Sequence, residues 1–545
     1  MPARPSPGTP GEPIVRARSL VVVIVLAQGL CAPAALAQSG ALALTSTVSG
    51  VEAWVDERPV GQLSADAALV VSNVPAGPHR IVAKRGTRTW ERAVPVAADE
   101  RTSVQIQIDV VGQAPVLKHL AEVTALADTM YVVQPDFAQF RLGALRGLEK
   151  LLPEGALAVA STAEGDAITY RGPPPGGNTR LLFASAADRE DALHDLVFVA
   201  SLARETAPSV QLPNVEQAML QGGLGALDAH SAFLDRDTYG DMQVEISGAF
   251  VGIGIELTRK DEALSVVAPI EGTPAHRAGI LTGDQVVSID GTLAAGMTLP
   301  DAVKRIRGRA GTKVTLGVLR EAWGATRDFP LEREAIRVQS VQSRELEPGI
   351  GYVKIRQFQE KTADDLEAAL AGWKNGPLRG LVLDLRNNPG GLLTAAVEVA
   401  EKFLQQGRLV VYTQGRVKGQ SARFTASRRK AHTGLSIVLL VNGGSASASE
   451  IVAGALQDWS GALLVGSRTF GKGSVQTIIP LSDGAALRLT TARYYTPKGR
   501  SIDGTGLEPE TTVAAGALTE HGAADPQLER ALIELRTRVA RQNGR

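Results

Sequence analysis

The sequence predicts a multidomain α+β chain: small β-rich units precede and interrupt a core of βαβ type. Three observations lead there. At 545 residues the chain has room for several domains of roughly 100–200 residues each. Its second half holds two near-continuous apolar runs, "RGLVLDLR" (379–386) and "LSIVLLVN" (435–442). Each enters glycines and then a helical pattern, as buried parallel strands of βαβ units do. Residues 41–110 and 244–335 instead alternate apolar and polar positions between turn residues, the mark of half-buried strands.

Taken in order, residues 1–37 read as a signal peptide. Arg16 and Arg18 precede the apolar run Leu20 to Ala27, and Ala35-Leu36-Ala37 supplies the small residues of a cleavage site. The run is too short for a stable span, so no membrane span is expected after cleavage. The single cysteine, Cys31, leaves with this segment, and with it disulfide and thiolate chemistry. Residues 38–112 form a small all-β unit, with period-two alternation in "VEAWV" and "SVQIQIDV" and a turn at "PAGPH". Residues 113–243 are mostly helical, through "FAQFRLGALRGLEKLL" and "VEQAMLQGGLGAL", with short strands near "DAITYR" and "RLLFASA". Residues 244–335 are β-rich with one helix, "LPDAVKRIRG". Residues 336–515 form the βαβ core, and 516–545 end in an amphipathic helix. Lysine plus arginine equals aspartate plus glutamate at 57 each, and aromatics make up 4%. Nucleic acid is therefore not expected as a partner.

In α/β sheets the working residues gather where strands end and helices begin. Two such junctions stand out, "DLRNNPGGLL" and "VNGGSASASE". In the first, Pro389 has no N–H, which leaves Gly390 and Gly391 as donors toward negative charge. In the second, Ser445 and Ser449 share a helix face, and Ser447 with Glu450 fits a capping box. Local rules favour Ser447 as a cap over Ser447 as a nucleophile. A nucleophile also needs a base. Of seven histidines only His432 falls in the core, in a basic loop with no neighbouring acid. Ser427 and Lys430 match an S-x-x-K pattern whose companion motifs are missing. Lys472 lies between glycines in an apolar, strand-like stretch, where burial would depress its pKa enough for it to accept a proton. Gln476 stands four residues on, in reach to orient that amine.

Together, "DLRNNPGGLL", "GSASASEIVAGALQD", "TFGKGSVQ" and "ARYYTPKGRSIDGTGLEPE" resemble the C-terminal processing peptidases, or tail-specific proteases, over about residues 120–515. The resemblance implies a serine endopeptidase fold with an inserted PDZ domain at 244–335. The family's nucleophile is the middle serine, twenty-five residues before its lysine, which here gives Ser447 as nucleophile and Lys472 as base. Gln476 is implied to position the lysine, and the backbone N–H groups of Gly391 and Ala448 to bind the oxyanion. In the PDZ domain, Gly252, Ile253, Gly254 and Ile255 are implied to receive a peptide's terminal carboxylate. "LDAHS" stands where the family often has proline before the histidine, so His230 and Ser231 read as structural. Residues 38–112 resemble PEGA-type domains, which implies a docking module. The expected partners are protein substrates with apolar C-termini and a regulatory or adaptor protein, with no metal or cofactor, in the periplasm or cell envelope. The rivals are a non-catalytic envelope scaffold and a hydrolase built on His432.

Overall fold

The computed structural model describes residues 38–110, 113–171, 177–184, 188–260, 263–337, 339–373, 377–427, 432–514 and 525–543. The expected signal peptide, with Cys31, lies outside the described residues, as do His521 and Lys430.

The alternating residues near the N-terminus form two sheets. Ser39–Ser46 lies between Leu69–Pro75 and Arg101–Ile106 in a three-stranded sheet. A seven-stranded sheet then runs in the order Arg58–Leu63, Val51–Val55, Gly77–Arg85, Arg88–Val96, Asn178–Phe183, Gly165–Arg171, Leu157–Thr162. Its fourth and fifth strands meet antiparallel, with Trp90 opposite Leu181. The sheet therefore crosses the boundary drawn at residue 112: the strands near "DAITYR" and "RLLFASA" complete it. Alternation reveals a strand but not its partner, which is why sequence reading separated the two segments.

Buried charges seal this seam. Arg88 donates to Asp195 at 2.8 Å and to Asp109 at 3.1 Å, while Arg141 reaches Asp195 at 2.8 Å and Asp166 at 2.9 Å. Helices Phe137–Leu151 and Leu212–Leu227 pack beside it, so close that a Cβ on Gly143 would stand 2.4 Å from the Gly222 carbonyl oxygen. Residues Ile255–Glu332 form a separate small β unit around its own core, with the helix Leu299–Ile306 on one side.

The βαβ core is a six-stranded sheet in the order Val341–Glu347, Ile350–Ile355, Gly380–Asp384, Ser436–Val441, Leu463–Gly466, Thr511–Thr512. All its neighbours pair in parallel except the first two strands. The two apolar runs are its central strands and are buried at every position, as strands covered on both faces must be. The helix Pro526–Asn543 packs its Ala531, Leu535 and Val539 onto one face, while the helix Ala448–Ser460 belongs to the cluster on the other. A further sheet, holding Ala232–Leu234, Ser474–Pro480 and Ala486–Tyr495, brings the helical segment against the core. No described helix is long and apolar enough to cross a membrane.

Candidate active site

Strands Gly380–Asp384 and Ser436–Val441 run parallel as neighbours, so their C-terminal turns emerge side by side. Polar bonds lock the turns together. Asn387 N–H donates to Asn442 Oδ1 at 2.9 Å, and Asn442 Nδ2 returns a bond to Asn387 Oδ1 at 2.9 Å. Ala446 N–H donates to the Asn388 carbonyl at 3.0 Å. Gly390 presses so close that a Cβ there would lie 2.8 Å from Ser447 Cβ and 3.0 Å from Ala448 N. At Gly391 a Cβ would lie 2.1 Å from the Phe358 carbonyl oxygen. Phe358 bonds to the peptide units on either side, receiving from Leu392 N–H at 2.8 Å and donating to the Gly390 carbonyl at 2.9 Å. The Gly391 N–H is left over. Among the described residues, neither it nor the Ala448 N–H has a hydrogen-bond partner.

The three serines now separate. Ser445 Oγ donates to the Leu385 carbonyl at 2.8 Å, Ser449 Oγ to the Asn388 carbonyl at 2.9 Å, and both residues are fully buried. Only Ser447 is partly open to solvent. Its backbone has φ +55° and ψ −114°, a region costly for any residue with a side chain. Half of the expected capping box forms: the Ser447 N–H donates to Glu450 Oε2 at 2.8 Å. The other half does not, because Glu450 N–H donates at 2.8 Å to the Ser447 carbonyl and the Ser447 side chain caps nothing. With no bond from the Ser447 hydroxyl to the helix end, the side-chain half of the cap favoured by local sequence rules is not made.

Glu450 does more than a cap, and sequence reading missed it. Its fully buried carboxylate also accepts from Thr469 Oγ1 at 2.5 Å, Gly471 N–H at 2.8 Å and Lys472 N–H at 3.0 Å. Burial pushes this carboxyl up, against the pull of those four donors. One side chain thereby holds the backbone of Ser447 and the backbone of Lys472 together. The only available signal was a glutamate three residues after the serine, which reads locally as a cap.

Burial depresses the Lys472 amine below its ordinary value, and the nearby Arg488 guanidinium adds to that, opposed by Asp228. Ser447 Oγ and Lys472 Nζ do not hydrogen-bond to one another. Gln476 Nε2 donates to Ser474 Oγ at 2.9 Å instead of meeting the amine. Gln476 nevertheless pairs across the sheet with Thr490, whose hydroxyl donates to Asp228 at 3.2 Å. Ser231 Oγ donates to Asp228 at 2.7 Å, and the His230 carbonyl accepts from Arg488 at 2.9 Å. "LDAHS" thus forms a polar cap at the end of the helix Leu212–Leu227 and holds the charges that face the lysine. His432 lies 3.5 Å from Glu367, beside the Lys402–Glu367 ion pair. Ser427 Oγ donates to Glu401 at 2.8 Å.

In the inserted β unit, the Ile253 carbonyl accepts from Ala275 N–H at 2.9 Å and the Gly254 carbonyl from Ile270 N–H at 2.8 Å. Gly254 takes φ +79° with its Cα against Thr273. Gly252 to Ile255 line one end of a groove of about 310 Å³, walled by Phe250, Leu257, Val303 and Ile306. A second cleft of about 600 Å³ shares Phe250, Val303 and Arg307 with it and reaches Gln357 and Gln359. Those glutamines flank Phe358, the residue bonded around Gly391.

An open serine beside two unpartnered amides, on a parallel sheet joined to a peptide-sized groove, defines the class as a serine peptidase with a PDZ domain. The profile of Peptidase family S41 matches residues 349–513, and that of the PDZ domain residues 265–320. The carboxy-terminal-processing protease of Bartonella bacilliformis is 47% identical over 298 residues, 54% of this chain and 68% of that protein. A Staphylococcus aureus protein named as a CtpA-like serine protease is 39% identical over 287 residues, 52% of this chain and 57% of that one. Among solved structures, the photosystem II D1 C-terminal processing protease covers 70% of this chain and 94% of its own, at 27% identity and a TM-score of 0.37. The chain belongs to the carboxy-terminal-processing proteases of family S41.

Proposed function

We propose that the chain is an exported endopeptidase that captures protein C-termini in its PDZ groove and cuts them through a Ser447–Lys472 acyl-enzyme mechanism. The single observation that carries this reading is the pair of unpartnered N–H groups, Gly391 and Ala448, beside Ser447, the one serine of the 445–449 run that is partly open to solvent. Neutral Lys472 takes the proton as Ser447 Oγ attacks the scissile carbonyl. The developing oxyanion then meets two amides already fixed in place, the arrangement that most lowers such barriers. The lysine returns the proton to the leaving amine, and water, deprotonated in turn, releases the product. Gln476 orients the lysine once its bond to Ser474 is exchanged. Apo sites commonly hold such bonds open until substrate arrives.

The N–H groups of Ile253 and Gly254, which no described hydrogen bond uses, suit a terminal carboxylate, and the apolar groove beyond them suits an apolar tail paired as an added strand. The adjoining cleft leads the substrate toward Gly391. The segment 1–37 directs export to the periplasm or envelope, the PEGA-like β unit docks the enzyme there, and a regulatory or adaptor protein is a further partner. The test is cleavage of an unstructured protein with an apolar C-terminus by the parent chain and the Ser447→Ala, Ser445→Ala, Lys472→Ala and His432→Ala variants. Activity is expected to vanish at Ser447 and Lys472 and to survive at His432. A Lys472 variant that still cuts overturns the dyad, and a parent chain that binds tails without cutting supports a scaffold.

A further inference from the structure

Tyr494, on the strand Ala486–Tyr495, is buried to 2% of its surface and has no part in the steps above. Its hydroxyl donates to the carbonyl oxygen of Lys472, and its backbone N–H donates to the Gly473 carbonyl at 2.9 Å. The strand itself is held by Leu409–Gly415, with Thr413 opposite Tyr494. From the other side the Glu450 carboxylate accepts the Lys472 N–H at 3.0 Å. The main chain of Lys472 is therefore gripped on both sides of its Cα, at its N–H and at its C=O.

Burial pushes the Tyr494 hydroxyl well above its ordinary value, and the Glu450 carboxylate adds to the push. The phenol stays protonated, and its one proton is committed to the Lys472 carbonyl.

We propose that Tyr494 is the positioning residue of the serine–lysine site: its O–H ties the Lys472 main chain in place and so sets where the amine stands beside Ser447. The inference rests on the Ser447–Lys472 reading. Tyr494 neither gains nor loses a proton in the reaction. The proton passes from Ser447 to Lys472, and Tyr494 fixes where the lysine stands when it does.

The experiment compares Tyr494→Phe, Tyr494→Leu, Lys472→Ala and Ser447→Ala in the whole mature chain, with the same unstructured protein as substrate. Phenylalanine fills the same space and removes one oxygen. The expected result is a melting temperature close to the parent's, a kcat about tenfold lower or more, and a KM within about twofold. The acid limb of the kcat profile also moves, because the lysine no longer sits at a fixed depth. A purely structural tyrosine predicts parental kcat and an unmoved profile for Tyr494→Phe, with rate lost only in Tyr494→Leu in step with its lost stability. That outcome overturns the proposal. Should the phenylalanine variant unfold, 3-fluorotyrosine at position 494 keeps the shape while making the phenol more acidic. A moved profile then supports the proposal, and an unmoved one overturns it. Retained cutting by Lys472→Ala overturns the dyad and this inference together, whereas two dead dyad variants beside a normal Tyr494→Phe overturn this inference alone.

Discussion

Ser447 holds a conformation that suits glycine, at a point where its own hydroxyl caps nothing and two buried neighbours do the structural bonding. Stability and activity should therefore come apart along the run of serines. Ser447→Ala is expected to melt within a degree or two of the parent. Ser445→Ala and Ser449→Ala each remove one of the two donors to a carbonyl, the first also stripping the Asn442 N–H of its acceptor, and each should lose about 1 kcal/mol, read by chemical denaturation. The lysine supplies a second contrast. Its folded pKa is lowered by burial first, so the folded state disfavours the ammonium form below the ordinary value of 10.5. The sign follows: the cost of burying Lys472 is full below its lowered folded value, fades as pH rises from there toward the ordinary value, and is gone above it. Lys472→Met should accordingly melt higher than the parent at pH 7, by about 2 °C, and lose that advantage in alkali. In the parent, kcat/KM should climb with pH along an acid limb placed below the lysine's ordinary range, and a limb at or above that range would contradict a depressed base.

At the scale of elements, the contact between Phe137–Leu151 and Leu212–Leu227 depends on absent side chains. A Cβ on Gly143 would meet the Gly222 carbonyl oxygen at 2.4 Å, and one on Gly147 the Ala218 carbonyl oxygen at 2.2 Å. In an isolated helix, glycine to alanine is favourable by about 1 kcal/mol. Here Gly143→Ala should instead destabilise by about 1–3 kcal/mol, since the helices must part, and a melting curve decides the sign. The helices themselves could be read from their apolar spacing, as could the central strands of the core from their unbroken apolar runs. What could not be read was long-range. Nothing within "RTWERAVPV" says that its neighbour is "NTRLLF", where Thr179 lies opposite Arg92, 87 positions back and across an intervening pair of helices. The site divides in the same way. The glycine turn and the serine run announce themselves locally, but the hydroxyls of Ser445 and Ser449 find carbonyls on another strand's turn, and the Glu450 clamp depends on a loop twenty residues downstream. Local rules gave Ser447 a side-chain cap that it does not make.

For the whole molecule, the seven-stranded sheet and the Arg88–Asp195–Arg141–Asp166 cluster make residues 38–110 part of the body that holds the helices. The second of those helices, Leu212–Leu227, ends at the "LDAHS" cap, whose Asp228 and His230 bond Thr490 and Arg488, and the charges of Asp228 and Arg488 act on the lysine. A chain begun at residue 113 is expected to aggregate and to lose peptidase activity, even though none of the described residues 38–110 is hydrogen-bonded to Ser447. Size-exclusion chromatography and the cleavage assay would show both effects, and a monomeric, active truncation would make the β unit a detachable module. Removal of Arg141 alone, as Arg141→Ala, should cost about 3–5 kcal/mol by leaving Asp166 buried without its ion-pair partner and Asp195 with Arg88 alone.

The pairing of Arg88–Val96 with Asn178–Phe183 also has a consequence in time. A chain made from its N-terminus presents the first of these strands as an open edge until the second has emerged, and open edges recruit other chains. Closing so distant a pair is slow. The nascent protein thus passes through a stage in which its earliest segment is its most vulnerable, and crowding by other nascent chains, more than heat, should limit its yield.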